Sequence, residues 1–130
     1  MRCVAFAAGL KTAGMDSIFV TRSLGSPVSD LVRRNEFDVV EIPADVSTAQ
    51  DSESTLEVAA KADARFITTD ICHHDTQAKP EELITYHRTL AASFFTVCIT
   101  GDKLIDLPAN VLVTPYVGVD DFKLPDMPGR

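Results

Sequence analysis

Helical and strand patterns take turns along this chain, and that alternation limits its fold more than any other feature. Residues 2–13 carry Val4, Ala5, Ala8 and Leu10 at helical spacing, and Gly14 is well placed as a stop. Ser17–Thr21 (Ser-Ile-Phe-Val-Thr) is a short β-branched run and predicts a strand. After the turn-rich stretch 22–27, Ser26 followed by Pro27 opens a helix to about Asn35, because proline suits a first helical turn. Asp38–Ile42 is the next strand, closed by Pro43. The polar stretch 44–51 ends at Asp51, a residue able to cap a helix reaching Ala62, with Leu56, Val58, Ala59 and Ala60 as its apolar face. Phe66–Thr69 predicts a strand ending at Asp70, and a polar loop then reaches Lys79. Pro80, Glu81 and Glu82 start a helix with acids in its first turn, as the helix dipole favours. Strands follow at Phe94–Thr100 and Asn110–Thr114.

Strands that alternate with helices predict a mostly parallel sheet covered by helices. Right-handed crossovers make this a three-layer, doubly wound, Rossmann-like α/β domain of about five strands. With 130 residues there is room for one such domain, expected over residues 1–119, and an extended or loose tail over 120–130. The apolar fraction of 45% is that of a folded protein, and the net charge of -7 argues against nucleic acid and anionic membranes as partners. The apolar run near the start is broken by Lys11 and Gly14, too early for a membrane span. No small-residue cleavage site follows it, so no secretory leader is expected. Cys3, Cys72 and Cys98 are odd in number and widely spaced, which suits reduced thiols in a cytoplasmic protein. Such folds ordinarily begin on a strand at the sheet centre, whereas this pattern begins on a helix. Unpaired strand edges would result, and a homodimer or a partner chain is expected to complete the sheet.

Ligands of open parallel sheets bind beyond the carboxyl ends of the strands. Four loops fall there: 22–26, 43–51, 70–79 and 101–103. Arg22 and Ser23, followed by Gly25, have the chemistry to hold a phosphate with help from the next helix N-terminus. The densest loop is Asp70-Ile-Cys-His-His-Asp75. Its carboxylates can simply cap the loop and the next helix, with the histidines solvated. His73 or His74 can instead act as a general base or phosphate partner, since imidazole titrates near working pH. A third reading joins Asp70, His73, His74 and Asp75 around a metal, although structural zinc sites usually draw on two separated ligand pairs. Cys72 beside His73 is a thiol in reach of a base by sequence alone. His87 reads as a packing or surface group, and Tyr86, Phe94 and Phe95 read as core rather than as a sugar-stacking platform. The chain has no GxGxxG, P-loop or GxSxG motif, so neither a dinucleotide nor any other resident cofactor is expected.

Met1-Arg2-Cys3 ahead of an Ala-rich helix resembles the "MRC-x-x-A" helix start of the UDP-sugar hydrolases of pseudaminic acid biosynthesis and of related spore-coat polysaccharide proteins. The similarity continues through Ile18–Arg22, Leu24-Gly25, Phe37–Pro43, Asp51–Thr55, the strand ending at Asp70, Leu107–Asn110 and Val113–Tyr116. It implies half of a GT-B-like fold, the first of two Rossmann-like domains. In such enzymes a strand and a Gly-x-Gly-His turn stand just before the MRC segment, and a second domain supplies most of the nucleotide pocket. By resemblance Arg2, Arg22 and Asp70 with the next two or three residues line the cleft; joined with the loop chemistry above, the candidate ligand-binding positions are Arg2, Arg22, Ser23, Gly25 and Cys72, and the candidate catalytic ones Asp70, His73 and His74. The implied function is sugar-nucleotide handling in surface polysaccharide or nonulosonate biosynthesis, with no turnover expected from residues 1–130 alone. A non-catalytic binding or assembly module and a metal-binding domain are the alternatives.

Overall fold

A computed structural model describes residues 2–22, 27–71, 79–100 and 107–113. The predicted alternation is present in them. Helix α1 spans Arg2–Thr12, strand β1 Ile18–Thr21, helix α2 Pro27–Arg34, strand β2 Asp38–Glu41 and helix α3 Thr48–Lys61. Strand β3 follows at Phe66–Ile71, helix α4 at Pro80–Ala91, strand β4 at Phe95–Thr100 and strand β5 at Val111–Val113. The tail 120–130 lies outside the described residues.

The five strands among the described residues are all parallel, as expected, but they form two sheets. β1 pairs with β2, Ile18 opposite Asp38 through Thr21 opposite Glu41. β3, β4 and β5 form the second sheet, with Phe66 opposite Phe95 and Val97 opposite Val111. Periodicity reports that a strand exists and which of its faces is apolar; it does not name the neighbour.

Alternation along β3 fixes the layers. Thr69 bonds His87 of α4 on one face, while the adjacent Asp70 meets Arg2 of α1 on the other. Helices α1 and α2 therefore cover one side, around Ala7, Val32 and Phe37 with Phe19 and Val39 packed against them. Helices α3 and α4 cover the other. There Ala59, Ile67 and Leu90 form one cluster, and Leu83, Cys98, Leu107 and Ala109 a second.

Several helix faces are rotated from the expected ones. Ala7 is the buried residue of α1, with Val4 beside it, whereas Ala5 and Ala8 are exposed. Gly14 does stop that helix, at a φ of 78° that favours glycine. In α3 the buried side is Ser52, Thr55 and Ala59, with Leu56 packed nearby, and Ala60 faces outward. That helix also starts earlier than expected. Ser47 accepts from the Gln50 N–H and the Gln50 side chain accepts from the Ser47 N–H, a capping box that satisfies two end donors. Asp51, expected as the cap, sits in the first turn instead and turns its carboxylate elsewhere. Phe94 packs in the core as expected, but Phe95 is half exposed.

Candidate functional site

Strands β1 and β3 face one another across a crevice of about 2060 Å³, with α1 along one wall and α3 along the other. Charged side chains gather where the strands end. Arg22 follows the last residue of β1 and pairs through Nε with Asp51 on the first turn of α3. Arg2 opens α1 and pairs with Asp70 near the end of β3, while its Nη1 donates to the Thr100 carbonyl at 3.1 Å. The parallel strands place both pairs at one end of the crevice, where open α/β sheets bind their ligands. Arg2, Arg22 and Asp70, expected at a site, are thus brought together along a single crevice.

Asp51 was expected only as a cap, and two further polar groups converge on it. The Thr55 hydroxyl donates to Asp51 Oδ1 at 3.3 Å and the Tyr86 hydroxyl does so at 3.4 Å, with 3.3 Å between the two hydroxyls. Burial pushes the Tyr86 phenol up to about 12, and the neighbouring Asp51 carboxylate adds to the rise. Tyr86 is therefore a neutral donor at every physiological pH. A clue lay in the sequence: Asp51 and Thr55 are four apart, one helical turn, and so share a face.

At the other pair, burial pushes the Cys3 thiol up to about 12, helped by the Asp70 carboxylate. A thiol so held is not a nucleophile. His87, read as a packing or surface residue, is fully buried. Its Nδ1 lies 2.8 Å from the Leu83 carbonyl, which can only accept, so Nδ1 carries the proton. Nε2 then accepts from the Thr69 hydroxyl at 3.0 Å. Burial holds this imidazole below its ordinary value of 6.5, with the Leu83 bond opposing. Its role is to satisfy polar groups under β3.

Ser23, Gly25, Cys72, His73, His74 and Asp75 lie outside the described residues. Among the described residues no group of three or more His, Cys, Asp or Glu side chains is placed to hold a metal ion. No helix among them is long and apolar enough to cross a membrane. Comparison of the chain with protein-family models, curated proteins and solved structures returned no match.

Proposed function

We propose that this chain is a sugar-nucleotide-handling domain, built like the N-terminal half of a UDP-sugar hydrolase, with its anionic ligand at the carboxyl ends of β1 and β3. The observation that carries the reading is the convergence of Arg22 and Arg2, twenty positions apart, on one crevice end. Each guanidinium is oriented by a carboxylate, and Asp51 takes only the Nε side of Arg22. A diphosphate is recognised by such forked donors, and Tyr86 and Thr55 add neutral hydroxyls for a sugar or ribose. His73, His74 and Asp70 are the groups this reading assigns to proton transfer, with water attacking the sugar–nucleotide bond in the assembled enzyme. Cys72, Ser23 and Gly25 complete the proposed ligand contacts.

Ligand-observed NMR with UDP-N-acetylglucosamine as the probe tests this. Saturable binding is expected, weakened about 10- to 100-fold by Arg22→Ala, since a bond to a charged group is worth about 1.5–3 kcal/mol. Asp70→Ala should weaken it as well by releasing Arg2. Absence of saturable binding, or binding by both variants as tight as that of the unaltered chain, contradicts the reading.

A further inference from the structure

Asp51 pairs with Arg22 through a single bond, and the reason lies partly on another helix. An arginine and a carboxylate frequently meet through two parallel N–H···O bonds, one to each oxygen. Here Asp51 Oδ2 accepts from Arg22 Nε. Asp51 Oδ1 is engaged elsewhere: it accepts from the Thr55 hydroxyl at 3.3 Å and from the Tyr86 hydroxyl at 3.4 Å. Both bonds are long for O–H···O, so the hold on Oδ1 is shared between them.

The groups that hold Oδ1 are anchored, whereas the side chain they act on is long and exposed. Thr55 is buried on α3, one turn after Asp51. The Tyr86 ring packs against the cluster of Ala59, Ile67 and Leu90 and meets the His87 ring edge to face, with centroids 5.4 Å apart. A tyrosine has few torsions to order, so a packed ring delivers its hydroxyl at little further entropic cost. Arg22 follows the last residue of β1, and its side chain is 39% exposed against 14% for Asp51. Many rotamers are open to such an arginine, and the buried carboxylate selects among them. The outer torsion of an aspartate is soft, so a carboxylate without other partners would turn to take Nε and a terminal nitrogen together. With Oδ1 occupied, Asp51 takes Nε alone. It leaves both terminal nitrogens to the crevice, which Arg22, Asp51, Thr55 and Tyr86 all line.

We propose that Tyr86 and Thr55 are positioning residues for Arg22: by occupying one oxygen of Asp51 they hold the ion pair to its Nε bond and leave the guanidinium fork to an anionic group of the ligand. Both act through Asp51, and neither needs to touch that group. Their protons are used within the cluster, so toward a bound molecule they offer lone pairs, which suit a sugar hydroxyl and repel a phosphate oxygen. Phosphate is thereby sorted to Arg22 and the hydroxyl-bearing ring to the Tyr86 side. This inference rests on the reading that Arg22 holds the anionic part of a ligand, and it is independent of which sugar or nucleoside is attached.

Inorganic pyrophosphate is the probe, because it has no sugar for Tyr86 or Thr55 to contact. Titration of the full chain, followed by phosphorus NMR, should show saturable binding. Tyr86→Phe should weaken it about three- to tenfold, and Tyr86→Phe combined with Thr55→Val should weaken it further. Thr55→Ser keeps the hydroxyl and should bind like the unaltered chain. In an Arg22→Ala background Tyr86→Phe should change affinity by less than about twofold, because its route to the ligand is gone. A signature without ligand accompanies these: the two terminal nitrogen resonances of Arg22 are averaged by rotation about Nε–Cζ in the unaltered chain, and two-bond pairing should split them in the double variant. Absence of pyrophosphate binding, unchanged affinity in the double variant, an undiminished Tyr86→Phe effect without Arg22, or terminal resonances still averaged in the double variant would overturn the inference. Failure of UDP-N-acetylglucosamine to bind, with pyrophosphate behaving as described, would refute the sugar-nucleotide reading and support this positioning role.

Discussion

Replacing His87 by glutamine should flatten the acid side of the stability profile. In the folded chain burial holds the imidazole neutral below its ordinary value of 6.5, whereas in the unfolded chain it titrates normally. As pH falls through 6.5 the unfolded state takes up a proton that the folded state refuses. The stability due to His87 is therefore fully present above 6.5 and is lost on acidification, with a slope of at most about 1.4 kcal/mol per pH unit. At pH 5 the loss is bounded at about 2 kcal/mol. Glutamine can still donate to the Leu83 carbonyl and accept from Thr69, but it does not titrate. Urea unfolding of both proteins at pH 7.5 and pH 5 gives the comparison, and shared contributions from the carboxylates and other histidines cancel. Identical pH dependence in the two proteins would refute the assignment of a buried neutral imidazole.

Three other outcomes follow from the packing. Leu90→Ala should cost about 2–5 kcal/mol in urea unfolding, because Leu90 is 0% exposed between α3, α4 and β3. Asn110→Ala should cost about 1–3 kcal/mol, since Asn110 Oδ1 accepts from the Thr96 N–H at 2.8 Å and from its hydroxyl at 3.1 Å, and Thr96 is buried. Thermal or chemical unfolding measures it, and a neutral result would mean that Thr96 finds another acceptor. Cys3, its thiol held up at about 12, should resist iodoacetamide at pH 8 in the folded chain and react once unfolded, as mapped peptide by peptide.

How much of this was legible in the sequence depended on the range of the interaction. Each strand and helix was visible because periodicity and end signals are local: Gly14, Pro27 and Pro80 mark boundaries that the structure keeps. Asp70 and Arg22 were placed at strand ends by the same reasoning. Pairing between elements was not visible. That Arg22 would meet Asp51 rather than solvent needs β1 and α3 to be adjacent, and no spacing within either segment says so. Tyr86 joins the same cluster from α4, 35 positions after Asp51, and so read as core. His87 was ambiguous for the opposite reason: its helical position was clear, but the Thr69 hydroxyl that occupies its second nitrogen belongs to another element. The division into two sheets likewise depends on which edges meet.

Amide exchange along β1 tests the central claim most directly, namely that the crevice between β1 and β3 is bounded by open strand edges. In the chain alone, the Thr21 amide should be protected by its ladder with β2 while the Val20 amide, turned into the crevice, exchanges at least tenfold faster. Equal protection of Val20 and Thr21 would mean that the edge is already paired, and would contradict the open crevice end at which Arg2 and Arg22 are proposed to hold a ligand.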